Sequence, residues 1–144
     1  MLDQYVVVYL DDILVYSPSI ASHVTHVSNV LQRLRDNRLY AKLEKCMFHV
    51  TEVEFLGYNI TNQGVQMSRS KVSAILDWPR PNTLKALQSF LGFANFYQRF
   101  IQDYSALASP LTALTSTKHP FKWNAQAQIA FEALKSAFTS APVL

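Results

Sequence analysis

A chain of 144 residues, 49% of them hydrophobic, buries roughly 68–70% of the surface its unfolded form exposes, enough for a core in one or two small units without staples. Its single cysteine, Cys46, excludes an intrachain disulfide framework. No metal-type Cys/His cluster accompanies it, and the apolar run Tyr5–Leu10 is too short to span a bilayer and lacks the flanks of a signal peptide. The sequence therefore reads as a soluble protein of a reducing compartment, with no membrane partner. The net charge of +3 is unevenly spread: residues 1–32 hold three acids and no Lys or Arg, whereas residues 33–45 and 68–103 each sum to +3. An acidic spot beside basic segments suits a polyanion handled with metal ions; ordinary solvated surface charge explains it equally well.

In chain order, Tyr5–Tyr9 and Ile13–Tyr16 are rich in Val, Ile and Tyr and flank "LDD", which predicts strand, tight turn and strand. From Ser22 as N-cap, Val24, Val27, Val30, Leu31 and Leu34 recur at helical spacing to about Asn37. His23 and His26 stand three apart on this helix; without a third ligand they read as a solvated face. "KCMFHV" and "EVEFLGYNI" read as short strands, with Cys46 packing as a small hydrophobe, and "TNQG" turns the chain into a further strand at Val65. After Ser68 the period is helical throughout. Ser70–Trp78 is ended by "PRP", Thr83 caps a long helix reaching about Asp103, Leu107–Leu114 is a third helix with Pro110 near its start, and Asn124 caps a fourth. The composition shift places a boundary at about Met67.

Two features carry chemistry. Asp11 and Asp12 sit side by side at the predicted turn, where like charges about 4 Å apart repel by roughly 4 kcal/mol near a protein surface. Asp is a common turn residue that bonds its own backbone. Two carboxylates on a rigid hairpin are also the oxygen ligands that two-metal phosphoryl transfer requires, a divalent cation relieving their repulsion. On the long helix, Gln88, Gly92 and Phe96 are spaced by four and share one side. A glycine inside a helix costs about 1 kcal/mol relative to Ala and marks close approach by a neighbour, whether nucleic acid or another helix. Phe90, Phe93, Phe100, Tyr104 and Trp123 read as core.

"YLDD", followed in order by "LQRLRDNRLYAKLEKCMF", "VEFLGYNIT", "KVSAILDWPRP", "LQSFLGFANFYQRFI" and "FKWNAQAQIAFEALKSAFTSAPVL", closely resembles the reverse transcriptase of gypsy-type LTR retrotransposons over essentially the whole chain. The resemblance implies an α+β fold: an incomplete polymerase palm of β-hairpins plus a helix (1–67), an all-helical thumb (68–117), and a further helix at the start of the connection, near ribonuclease H (118–144). It also implies the site. Asp11 and Asp12 match the catalytic, metal-binding carboxylates, with Asp11 the stronger ligand, and Tyr9 and Leu10 match positions near the primer end and incoming nucleotide. Phe55, Leu56, Gly57 and Tyr58 match the primer grip, whose alternative is a plain hairpin on the palm. Gln88, Gly92 and Phe96 match the track along the duplex minor groove, and Lys85 and Arg99 add phosphate contacts. The implied cofactor is Mg²⁺, two ions with Mn²⁺ as the alternative. The implied partners are an RNA or DNA template–primer duplex, deoxynucleoside triphosphates and the rest of the pol polyprotein. The implied location is intracellular, in a cytoplasmic virus-like particle or the nucleus.

The pattern has a gap. The family builds its metal site with a third Asp on an earlier palm strand and holds the template with preceding fingers, neither of which is in this sequence. Asp3, read as lying on the strand of Tyr9, is more than about 20 Å from Asp11 at 3.3 Å per residue and cannot substitute. Two readings follow: a fragment of an RNA-directed DNA polymerase that is inactive alone, or a non-catalytic nucleic-acid-binding or protein-interaction module derived from a retroelement.

Overall fold

The computed structural model describes residues 1–144 and has a mixed α+β architecture with small antiparallel sheets. It divides into two compact units, Met1–Phe55 and Leu56–Leu144. The compositional boundary near Met67 differs from this packing boundary because the strands after Phe55 belong with the helices: Met67, Tyr58 and Val65 all join the helical core.

In the first unit, β1 (Val6–Tyr9) and β2 (Asp12–Val15) pair antiparallel with Val6 opposite Val15 and Tyr9 opposite Asp12. The chain before β1 does not extend the strand. Tyr5 N donates to the Met1 carbonyl and Asp3 N to that of Val6, with Asp3 at φ 59, so the first residues curl back and Asp3 is off the strand. Helix α1 (Ile20–Asp36) starts two residues ahead of the expected cap. Ser19 is the N-cap: its hydroxyl accepts from Ser22 N at 3.2 Å, and the Ser22 hydroxyl accepts from Ser19 N at 3.3 Å. Ser22 is thus the returning half of a reciprocal cap worth roughly 1 kcal/mol. Arg33 and Arg35 lie in the last turn, where they complement the helix dipole.

The expected strand at 45–50 does not form. Leu43–Lys45 closes a 3-10 turn, the Cys46 thiol donates to the Lys42 carbonyl at 3.2 Å, and His49 at φ 53 bends the chain before β3 (Glu52–Phe55). The two histidines of α1 are not a solvated face either. Both are half-buried; the Ser17 hydroxyl lies 3.0 Å from His23 Nδ1 and 2.7 Å from His26 Nδ1, and Tyr5 stacks on His26 with centroids 3.8 Å apart. No group of three metal-type ligands forms around them. In this unit only Val6 and Val30 are fully buried hydrophobics.

In the second unit, β4 (Tyr58–Thr61) pairs antiparallel with β5 (Gly64–Met67). Asn62 and Gln63 form the two-residue loop, with Gln63 N donating to the Thr61 hydroxyl. The other side of β5 takes the chain's last residue, since Val65 N and Leu144 N each donate to the other's carbonyl at 2.7 and 2.8 Å. Four helices follow. Ser68 caps α2 (Arg69–Leu76), Thr83 caps α3 (Leu84–Phe96) and Asn124 caps α5 (Ala125–Thr139), each side chain accepting the amide three residues on.

Helix α3 is shorter than its apolar period suggests. It gives way at Tyr97 to a 3-10 turn, Gln98–Phe100, before Asp103 at φ 55 opens α4 (Tyr104–Ala113). Apolar residues three apart stay on one side of either helix type, so Tyr97 and Phe100 are both buried although the α-helix has ended. Because α4 begins at Tyr104, not Leu107, Pro110 lies inside it.

Helix α5 packs on α4 and α2. Ile75, Leu87, Phe90, Leu111, Leu134 and Phe138 are completely buried, each contributing about 1.5–3 kcal/mol relative to exposure. Phe90 meets Phe131 edge to face at 4.9 Å and Trp78 at 5.6 Å, and Phe93 and Trp123 pack partly buried beside them. The aromatic residues expected in the core are there. No helix is long and apolar enough to cross a membrane.

The histidine cluster makes the first unit sensitive to acid. Desolvation, then His49 and His26, lower the His23 pKa from 6.5, so the fold prefers neutral imidazole. The stability this supplies is fully present above pH 6.5 and is lost as pH falls through that value toward the lowered one. Amide exchange across α1 is expected to accelerate between pH 7.5 and 5.5, relative to an unstructured reference peptide, and His23→Gln flattens that dependence; equal slopes in both proteins contradict it.

Candidate catalytic turn and nucleic-acid interface

The first candidate site is the tip of the β1–β2 hairpin. Pairing of Tyr9 with Asp12 leaves Leu10 and Asp11 as a two-residue loop, so the two carboxylates occupy the loop and the first position of β2. Leu10 takes φ 50 and is 84% exposed. A left-handed residue with a side chain costs about 1–2 kcal/mol, and Leu10 also exposes its isobutyl group. Tyr9 is 55% exposed, and because directly opposed residues share a sheet face, Tyr9 and Asp12 project together.

Asp11 and Asp12 are both exposed. Water at this tip screens their repulsion, so the pair is tolerated here without a cation. The hard oxygen donors suit Mg²⁺ or Mn²⁺. No third carboxylate, imidazole or thiol joins them within this chain, which leaves the ligand set partial.

The second site is the Leu56–Gly57 turn between β3 and β4. Both residues have positive φ, 55 and 81, the pattern a type I′ two-residue loop requires. Phe55 is half-buried at the end of the first unit, and Leu56 is 36% exposed. The Gly57 carbonyl accepts from the Tyr97 hydroxyl at 3.0 Å and from Ser68 N at 3.3 Å. A Cβ on Gly57 would stand 2.5 Å from the Tyr97 hydroxyl oxygen. Tyr58 sits in an aromatic group, with Phe96 stacked at 5.6 Å and 22°, Tyr97 edge-on at 5.6 Å, and the Arg99 guanidinium over its face at 4.8 Å. That last contact contributes about 0.5–1 kcal/mol at an exposed site.

The third site is the outer face of α3. Leu87, Phe90, Leu91 and Ala94 turn inward, leaving Gln88, Gly92 and Phe96 exposed on the opposite side. A Cβ built on Gly92 meets nothing within 4 Å. No helix of the second unit approaches it, so within that unit the neighbouring helix does not explain this glycine. Phe96 is 56% exposed although one of its faces rests on Tyr58. Lys85 and Arg99 are exposed; Arg99 is held by the Tyr58 ring.

Tyr97 was invisible as a site residue in the sequence. It falls on the buried period of α3, is 2% exposed, and bonds a carbonyl forty residues away. The one available signal is general: a buried tyrosine hydroxyl requires a partner.

The chain as a whole is similar to known proteins. Residues 1–60 match the family described as reverse transcriptase (RNA-dependent DNA polymerase). The chain is 37% identical over 142 residues to the transposon Tf2-3 and Tf2-7 polyproteins of Schizosaccharomyces pombe, covering 99% of this chain and 11% of theirs. It thus spans about a tenth of the relatives it matches. Among solved structures it resembles the foamy viral protease-reverse transcriptase in complex with double-stranded DNA (TM-score 0.90, 31% identity, 96% of this chain and 25% of that one). It also resembles that protein in complex with an RNA/DNA hybrid (TM-score 0.86, 31% identity, 96% and 19%). The chain therefore carries a reverse transcriptase match over residues 1–60 and is, along nearly its whole length, a homologue of one segment of the Tf2 retrotransposon polyproteins.

Proposed function

We propose that the chain is the C-terminal palm (1–67), thumb (68–117) and start of the connection (118–144) of a gypsy-type LTR retrotransposon reverse transcriptase, whose parent reaction adds deoxynucleotides to a primer 3′ end on an RNA or DNA template. The observation that carries this reading is the uncovered Gln88–Gly92–Phe96 face, in a chain similar over 96% of its length to a polymerase bound to nucleic acid. A glycine with open space above it admits a groove edge that any side chain would hold off. Gln88 donates to and accepts from sugars and base edges, which the wide, shallow minor groove of an A-form-like hybrid presents without demanding sequence. Lys85 and Arg99 flank this face and neutralise phosphates. Phe55, Leu56, Gly57 and Tyr58 form the primer grip.

Asp11 and Asp12 would hold the catalytic Mg²⁺ or Mn²⁺ ions, with a third carboxylate from the rest of the polyprotein. When bound, these ions stabilise the attacking and leaving oxygens of the phosphoryl transfer. Tyr9 and Leu10 lie beside the primer end and the incoming deoxynucleoside triphosphate. In this reading the protein works inside the cell, in a cytoplasmic particle or the nucleus, and ribonuclease H follows in the polyprotein. The absence of a third ligand beside Asp11 and Asp12 favours a second reading for the chain by itself: a nucleic-acid-binding module without catalysis.

The isolated chain is expected to show no template-dependent incorporation in a primer-extension assay with Mg²⁺ or Mn²⁺; extension would show that the partial site suffices. In a salt series, its binding to an RNA/DNA hybrid should weaken as salt rises, by close to one counterion for each phosphate contact. Gly92→Leu separates binding from folding because the two effects oppose. The substitution enters open space and removes a helix-interior glycine, so the melting temperature rises, by an amount equivalent to about 1 kcal/mol. Hybrid affinity falls by about tenfold, roughly 1.4 kcal/mol. Unchanged affinity in a more stable Gly92→Leu protein would remove α3 from the interface.

A further inference from the structure

Gly57 is where three constraints meet. Its φ of 81 belongs to the left-handed region that side chains avoid, its carbonyl takes two donors, and its α-carbon faces the Tyr97 hydroxyl so closely that no Cβ fits. Tyr97 itself has almost no freedom. It is 2% exposed at the C-terminal end of α3, with Phe93, Phe96 and Tyr58 rings between 4.8 and 5.6 Å from its own. One residue earlier on the same backbone is exposed Phe96, which ends the open face of α3. Two residues later is Arg99, seated over Tyr58. The turn, the end of the open face and a cation for phosphate are therefore linked through one phenol ring and its hydroxyl.

We infer that Tyr97 is a positioning residue. Its hydroxyl, by donating to the Gly57 carbonyl, fixes the Leu56–Gly57 turn relative to the Gln88–Gly92–Phe96 face, so that both meet the same nucleic-acid duplex in one register. The inference rests on the duplex reading of α3 given above. The hydroxyl does no chemistry and touches no substrate. It selects one placement of a turn that otherwise pivots about two left-handed residues. A buried hydrogen bond is a suitable device for this because it is directional: ring packing alone would hold Tyr97 in place without tying it to the turn, whose carbonyl would keep only the longer Ser68 N–H bond.

The chain contains its own control. Tyr104 also buries its ring and donates its hydroxyl to a side-chain oxygen, Asn95 Oδ1, at 2.7 Å. That bond involves no residue of the turn, so Tyr97→Phe and Tyr104→Phe each delete one internal hydroxyl, and only the first removes a bond to the turn. Two measurements on the full chain decide the matter: amide exchange at Leu56, Gly57 and Tyr58 without nucleic acid, and affinity for a fluorescein-labelled RNA/DNA hybrid at low salt. Both variants are expected to melt within about 4–8 °C of the parent. Tyr97→Phe should speed exchange of the turn amides and weaken hybrid binding by about tenfold, whereas Tyr104→Phe leaves both near the parent.

Equal loss of binding in the two variants would make the hydroxyl a generic stabiliser and overturn the inference. So would parent-like exchange and affinity in Tyr97→Phe. A parent chain that does not bind the hybrid at low salt refutes the duplex reading itself, and the positioning role with it. Binding by the parent that survives Tyr97→Phe unchanged refutes the positioning role alone.

Discussion

The edge-to-face contact of Phe90 with Phe131, 4.9 Å between centroids, orients α3, and most of what the second unit offers to a partner follows from that orientation. With Leu87, Phe90 and Ala94 completely buried, the 100° step of the helix carries Gln88, Gly92 and Phe96 to the far side. Rotating α3 by one position would hide Gly92 and expose phenyl rings. Such a rotation loses several fully buried side chains, at about 1.5–3 kcal/mol apiece. The open face is thus a by-product of packing beneath it, held by core residues that never meet a ligand.

The two units are built on different terms. The helical unit has a contiguous core of seventeen buried residues; the first has Val6 and Val30 and otherwise relies on hydrogen bonding, a reciprocal serine cap and a histidine pair sharing one hydroxyl. Composition does not reveal the asymmetry. Val8, Tyr9, Leu10, Ile20, Tyr40 and Leu43 raise the hydrophobic fraction of the first unit yet lie largely exposed. The paired carboxylates accordingly stand on a two-stranded ribbon with few layers behind it, whereas the open face of α3 stands on a closed core.

What the sequence made legible was local. Hairpin signals at "LDD" and "TNQG", the caps Thr83 and Asn124, and the four-residue spacing through Gly92 all act within one or two turns of chain, and each appears in the structure. Sequence and structure part where two local solutions compete. Ser19 and Ser22 can both cap, and the reciprocal arrangement uses both. Apolar residues at Tyr97 and Phe100 continue an α period, and a 3-10 turn buries them equally well. "KCMFHV" alternates like a strand, and the backbone closes a turn at Cys46 instead. Long-range partnerships leave no trace at all: nothing near Gly57 in the sequence indicates a phenol forty residues away, and the roles proposed for Asp11 and Asp12 rest on motif resemblance, since their exposed position by itself requires no metal.

The pairing of Leu144 with Val65 gives the second unit a different kind of closure. Two reciprocal backbone bonds tie the last residue to β5, and Gly64, at φ 137, lies against the Leu144 carbonyl where no Cβ fits. Leu144 is thus stitched to the hairpin whose other strand enters the aromatic group at Tyr58, so peeling it away strips a neighbour from β5 and loosens the sheet far from the point of release.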